Sequence, residues 1–96
     1  MKKHTMKGAK ELSKLLGLSE AEGIEAEIKA DMMKKIRDLV KKDGLTHKQV
    51  ADRSGVGRTV VTQIVNCSIQ RITIDRLLKV LISLGVSPVI KYKKAA

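Results

Sequence analysis

A chain of 96 residues, 43% hydrophobic with Tyr92 as its single aromatic, has room for one compact domain with an aliphatic core and little means of stacking on single-stranded nucleic acid. The formal charge of +10 is unevenly spread: residues 1–30 carry six lysines against five glutamates, residues 31–96 fourteen lysines and arginines against five aspartates. A surplus of that size points to a polyanionic partner, with plain solubility as the competing explanation.

In chain order, residues 1–18 form an N-terminal segment, loose over its first seven residues. "GAKELSKLLGLS" then offers a short helix with Leu12, Leu15 and Leu16 on one side and Gly17 as its stop. Ser19 followed by Glu22 reads as a capping box, and Ile24, Ile28, Met32, Ile36, Leu39 and Val40 keep a helical period. Gly23 is expected to delay the start of this helix by a turn. Lys41, Lys42 and Gly44 mark its end. Thr46 and Gln49 form a second capping box, and Leu45 with Val50 a hydrophobic staple, for a helix reaching Arg53 or Ser54. Ser54-Gly55-Val56-Gly57 is a turn. A third helix follows from Arg58 to about Asn66, capped by Gly57 and stapled by Val56 and Val61. A last helix starts after Thr73, with Ile72 and Leu77 as staple, and stops at Gly85. "VSPVIKYKK" then reads as one short strand. The fold expected is all-α: a small helical bundle with one short C-terminal β-strand.

Two short helices joined by a glycine-bearing four-residue turn fit a helix-turn-helix, the device that lays its second helix in the major groove of DNA. Ala51 is small where the helices cross. Gly55 tolerates a positive φ, and Val50, Val56, Val61 and Ile64 are apolar points that lock the pair.

Thr46–Asn66 resembles the helix-turn-helix of the Cro/phage-repressor (xenobiotic response element, XRE) family, and the likeness extends over about Leu18–Lys93. "LGLSEAEGIEAEIKADMMKKIRDLV", "DGLTHKQVADRSGV" and "ITIDRLLKVLISLG" resemble its HigA-type antitoxin branch. The resemblance implies a lambda-repressor-like DNA-binding domain over 19–86, dimerisation, a palindromic operator and, in the antitoxin branch, neutralisation of a toxin. It makes the chain a sequence-specific transcriptional regulator, a repressor and autorepressor. The alternatives are a protein-interaction module whose main work is to cover a toxin, or a non-specific RNA- or ribosome-associated basic protein. The near-neutral first 30 residues are the candidate toxin-facing element.

The family's base-reading positions fall on Arg58, Thr59 and Gln63, with Thr62 as a fourth candidate. Arginine can bond guanine O6 and N7, glutamine the adenine edge, and the threonine methyl a thymine methyl; the plainer reading of the threonines is exposed helix surface. His47 stands where the family often has Gln, placed to meet a phosphate and buttress Arg58. Lys48, Arg53, Ser68 and Arg71 are the other phosphate candidates, each equally readable as a solvated polar group. Gly57 replaces the family's usual Ser or Thr cap, at a cost of about a few tenths of a kcal/mol. Cys67 replaces a common Gly, which places the path of the next loop and the contacts of Ser68 in question; Gln70 and Arg71 are the substitutes.

Nothing points to catalysis: no nucleophile–base arrangement or phosphate-cradling loop is readable, and "GVG" at 55–57 is too short for a dinucleotide fingerprint. No cofactor is called for, and His47 has no second ligand at metal-binding spacing. Cys67, the single cysteine, rules out an intrachain disulfide and fits a reducing compartment; only general basicity argues for a redox role. No apolar run reaches the roughly 20 residues of a membrane span or follows the basic N-terminus at signal-peptide length, so a cytoplasmic, nucleoid-associated protein is expected. Residues 87–96 form the strand and tail. Val89, Ile90, Lys91 and Tyr92 are the candidate dimerisation residues, pairing with a second copy, and Leu77, Leu81 and Leu84 are expected to add packing surface.

Overall fold

The computed structural model describes residues 14, 15, 17, 19–68 and 71–94. Lys14 and Leu15 are helical, Leu15 is exposed, and Gly17 is in the left-handed region, its amide bonded to the Lys14 carbonyl. Leu12, Leu16 and the rest of the expected first helix lie outside the described residues.

Helix α1 runs Glu20–Asp43. Both halves of its capping box form: Ser19 Oγ accepts from the Glu22 amide, and Glu22 Oε1 accepts from the Ser19 amide, each at 3.1 Å. Gly23 therefore does not delay the helix. The box fixes the first turn, and Gly23 lies buried inside it. Gly44, at φ +63, ends the helix in a Schellman arrangement, with the Gly44 amide on the Lys41 carbonyl and the Leu45 amide on the Val40 carbonyl.

Helix α2 is His47–Ser54, and its capping box is also complete, with Thr46 Oγ1 3.1 Å from the Gln49 amide and Gln49 Oε1 2.8 Å from the Thr46 amide. Gly55 closes it at φ +75. Helix α3 is Arg58–Val65, entered through Gly57 without any side-chain cap. Helix α4 is Ile74–Ser83; the Thr73 hydroxyl accepts from the Arg76 amide, and Gly85 at φ +85 makes the closing turn.

Helix α1 packs on α3 and α4, and α2 packs on the same two, so the two-helix unit is wedged between α1 and α4. The seam between them is Met33, Ile36, Val50, Val61, Ile64, Ile72, Leu77, Val80 and Leu81, all essentially out of solvent. Burying one such side chain is worth about 1.5–3 kcal/mol. The staple residues Val50, Val56, Val61, Ile72 and Leu77 all belong to this core. Among the described residues, no helix is long and apolar enough to cross a membrane.

Two further expectations need correction. Residues 86–94 carry no regular secondary structure, so the C-terminal strand is not formed. A strand exists as a hydrogen-bonded ladder, and no partner strand is present among the described residues; Pro88 also lacks the amide to donate. Leu77 and Leu81 are not free to line a dimer surface, because both are buried in the chain's own core, and Leu84 packs partly against it. The exposed apolar residue of α4 is Ile82.

Candidate nucleic-acid interface

Helix α3 divides by face. With about 100° per residue, Arg58, Thr62, Thr59 and Gln63 share an arc of about 140°. Val61 and Ile64 occupy the opposite side and are fully buried, with Val60 packed partly against the core. Arg58 and Thr59 are exposed, while Thr62 and Gln63 are half-buried. The apolar anchors thus turn the four base-reading candidates outward together.

The turn before α3 is held by a residue that the sequence pattern did not single out. Ser54 Oγ donates to the Val50 carbonyl at 2.8 Å and accepts from the Val56 amide at 3.2 Å. A Ser two residues ahead of the next amide is the local signal for this turn. It carries the chain across the left-handed Gly55, where a Cβ would meet no atom within 4 Å. Glycine is required there by φ, not by crowding.

At its far end α3 closes as α1 does, although without glycine. Cys67 itself takes the left-handed conformation, at φ +59. Its amide bonds the Ile64 carbonyl at 3.0 Å and the Ser68 amide bonds the Gln63 carbonyl at 2.9 Å, the Schellman pattern. Through Cys67 and Ser68 the chain therefore keeps the glycine-type path despite the missing glycine. Ser68 is half-buried beside the end of α3, its amide already committed to Gln63. Arg71 is exposed, its amide on the Ser68 carbonyl at 3.2 Å. Gln70 lies outside the described residues.

The phosphate candidates on α2 differ in state. Lys48 is paired with Asp52 at 3.0 Å, an exposed i,i+4 ion pair, whereas Arg53 is exposed at the end of the helix. His47, half-buried, opens α2. Its Nδ1 lies 3.0 Å from Thr62 Oγ1, one turn along α3 from Arg58. Residues 15 apart in sequence give no local signal for such a link; only the packing of α2 on α3 creates it.

Val89, Ile90 and Tyr92 are exposed, at 81%, 74% and 92%, and Lys91 is exposed between them. They stand apart from the face that carries Arg58 and Gln63 in sequence and in element.

A family model described as a helix-turn-helix domain matches residues 13–91. No curated protein and no solved structure matches the chain. The match takes in α1 to α4 and the turn between α2 and α3, and the chain belongs to the helix-turn-helix domain family, whose architecture is that of a DNA-binding unit.

Proposed function

We propose that this protein is a sequence-specific double-stranded DNA-binding transcriptional regulator, a repressor that acts as a homodimer on a palindromic operator. The observation that carries the reading is the outward face of α3: Arg58, Thr59, Thr62 and Gln63 project together while Val61 and Ile64 hold the helix in the core. Arg58 and Gln63 read base edges. Thr59 and Thr62 contribute smaller contacts. His47, Lys48, Arg53, Ser68 and Arg71 meet phosphates and set the register. The role is one of binding, with no catalytic step.

A single reading head covers about half of a palindromic site, and a two-fold dimer places two heads about 34 Å apart. The exposed Val89, Ile90 and Tyr92, with Lys91 among them, form the contact with the second copy in this reading. The finer role, antitoxin and autorepressor of a toxin–antitoxin pair within the XRE family's HigA-type branch, rests on the resemblance of the segments quoted above and on the near-neutral first 30 residues as toxin-facing element. Cytoplasmic, nucleoid-associated placement follows from the same reading.

Gel shifts with randomised duplex DNA against RNA of equal length test it. Selective, competitor-resistant retention of a duplex subset is expected. Equal retention of RNA and of every duplex would replace the reading with non-specific polyanion binding. Co-purification with the product of an adjacent reading frame tests the antitoxin role.

A further inference from the structure

Resting on the proposed DNA reading, we propose that His47 is a positioning residue that sets the hydrogen-bond polarity of Thr62 and so decides which base Thr62 accepts in the groove: one with an exocyclic amino group, adenine or cytosine. The starting point is the 3.0 Å separation of His47 Nδ1 and Thr62 Oγ1. One hydrogen occupies that line, supplied either by the ring or by the hydroxyl.

His47 is the first residue of α2, an eight-residue helix whose Thr46 and Gln49 amides are consumed by the capping box. A helix start of this kind favours an anion, and in a docked helix-turn-helix the helix before the recognition helix runs against the DNA backbone. A neutral imidazole has one N–H. When His47 gives it from Nε2 to a phosphate, Nδ1 is left as an acceptor, and the Thr62 hydroxyl must donate to it. That spends the only hydrogen of Thr62. What Thr62 then offers the groove is a lone pair, which pairs with adenine N6 or cytosine N4 and meets guanine O6, N7 or thymine O4 as acceptor against acceptor. A backbone contact and a base choice are joined through two side chains on different helices.

Amide side chains separate the two ring nitrogens: Asn places its amide near the position of Nδ1, and Gln places its amide near that of Nε2. Randomised-duplex selection and affinity for the recovered consensus duplex are measured at about pH 8 with wild type, His47→Asn, His47→Gln and Thr62→Val. Thermal melts confirm that each variant folds. The wild type is expected to prefer one base pair at one position per half-site and to lose that preference when the amino group of its adenine or cytosine is removed, and Thr62→Val flattens the same preference from about tenfold to about twofold. His47→Gln should flatten the same base pair while keeping affinity within about twofold, and adding it to Thr62→Val should change that preference no further. His47→Asn, which loses the phosphate contact and can turn either amide atom toward Thr62, should weaken binding to the consensus duplex about three- to tenfold. A merely structural His47 would lower affinity in both variants without moving a preference. Consensus duplexes in which the amino base of that pair has lost its amino group, purine for adenine or 2-pyrimidinone for cytosine, bound by the wild type as tightly as the consensus itself, or a consensus untouched by His47→Gln, overturn the inference. Recovery of no consensus by the wild type overturns the DNA reading beneath it.

Discussion

The amide of Val56 donates to the hydroxyl of Ser54 at 3.2 Å, and this single bond spans the left-handed residue on which the angle between α2 and α3 depends. Ser54 also donates to the Val50 carbonyl, so its hydroxyl satisfies a donor and an acceptor together. Ser54→Ala should cost about 1 kcal/mol, and Gly55→Ala about 1–2 kcal/mol through its φ alone. Urea unfolding measures both. A Gly55→Ala variant as stable as the wild type would show that the turn does not need its left-handed residue.

Cys67→Gly should stabilise the protein. A non-glycine residue at φ +59 carries a conformational cost, which glycine removes in exchange for some unfolded-state entropy. The net gain is about 0.5–1 kcal/mol, or a few degrees in Tm for a domain of this size. A melting curve that moves down would locate the favourable contribution in the Cys67 side chain instead.

Arg58→Ala should cost about 1–3 kcal/mol per half-site and relax one base pair, whereas Arg71→Ala should weaken every sequence alike. Recovery of an unchanged consensus after Arg58 is removed would sink the assignment. Binding should also fall with salt, with log K decreasing by about 0.9 per log unit for each phosphate contacted. Asp52→Asn releases Lys48 from its 3.0 Å ion pair and removes an anion from the same face, so affinity should rise about two- to fivefold at low salt and converge on wild type as salt increases.

Glu22 gives the protein a small acid sensitivity. The Ser19 amide first, and the Ser19 hydroxyl after it, hold the Glu22 carboxyl below its ordinary value, against a minor opposing effect of burial. A carboxylate lowered on folding stabilises above its unfolded pKa, near 4.3, and that contribution is lost as pH falls through the lower folded value. Glu22→Gln, which still offers an acceptor for the capping box, should therefore show a shallower acid limb in Tm against pH. Parallel curves for the two proteins across the acid range would remove Glu22 from the account.

Removal of residues 87–96 should convert dimer to monomer in sedimentation and lower operator affinity. A truncated protein that still sediments as a dimer with full affinity would place the interface elsewhere, with the exposed Ile82 on α4 the next surface to alter.

The helices were legible because their signals are local. Capping boxes at Ser19/Glu22 and Thr46/Gln49, and staples such as Ile72/Leu77, need only residues a few positions apart; both boxes formed as read, and Ile72 and Leu77 are both buried in the core. The outward set on α3 was legible for the same reason, since the burial of Val61 and Ile64 decides which positions remain. Three other features depend on what the chain meets in space. The expected strand needs a neighbour to be a strand at all. The inward turn of Leu77 and Leu81 follows from the position of α1. The His47–Thr62 link arises only when α2 lies on α3. Gly23 misled because a complete capping box outweighs the helix propensity of one residue, a cost of about 1 kcal/mol.

The interleaving of anchors and outward residues along α3 bears on how such a protein changes over generations. Arg58, Thr59 and Gln63 alternate with Val61 and Ile64 yet lie on the other side of the helix, and among the described residues no hydrogen bond to another helix ties their side chains, so each can be exchanged singly with little penalty to the fold. Thr62 has no such freedom. Its hydroxyl is matched to an imidazole on another helix, and a new residue at position 62 leaves His47 facing a partner it was not chosen for. Positions 47 and 62 should therefore drift as a pair while 58, 59 and 63 drift alone, which makes one part of this outward face slow to diverge and the rest quick.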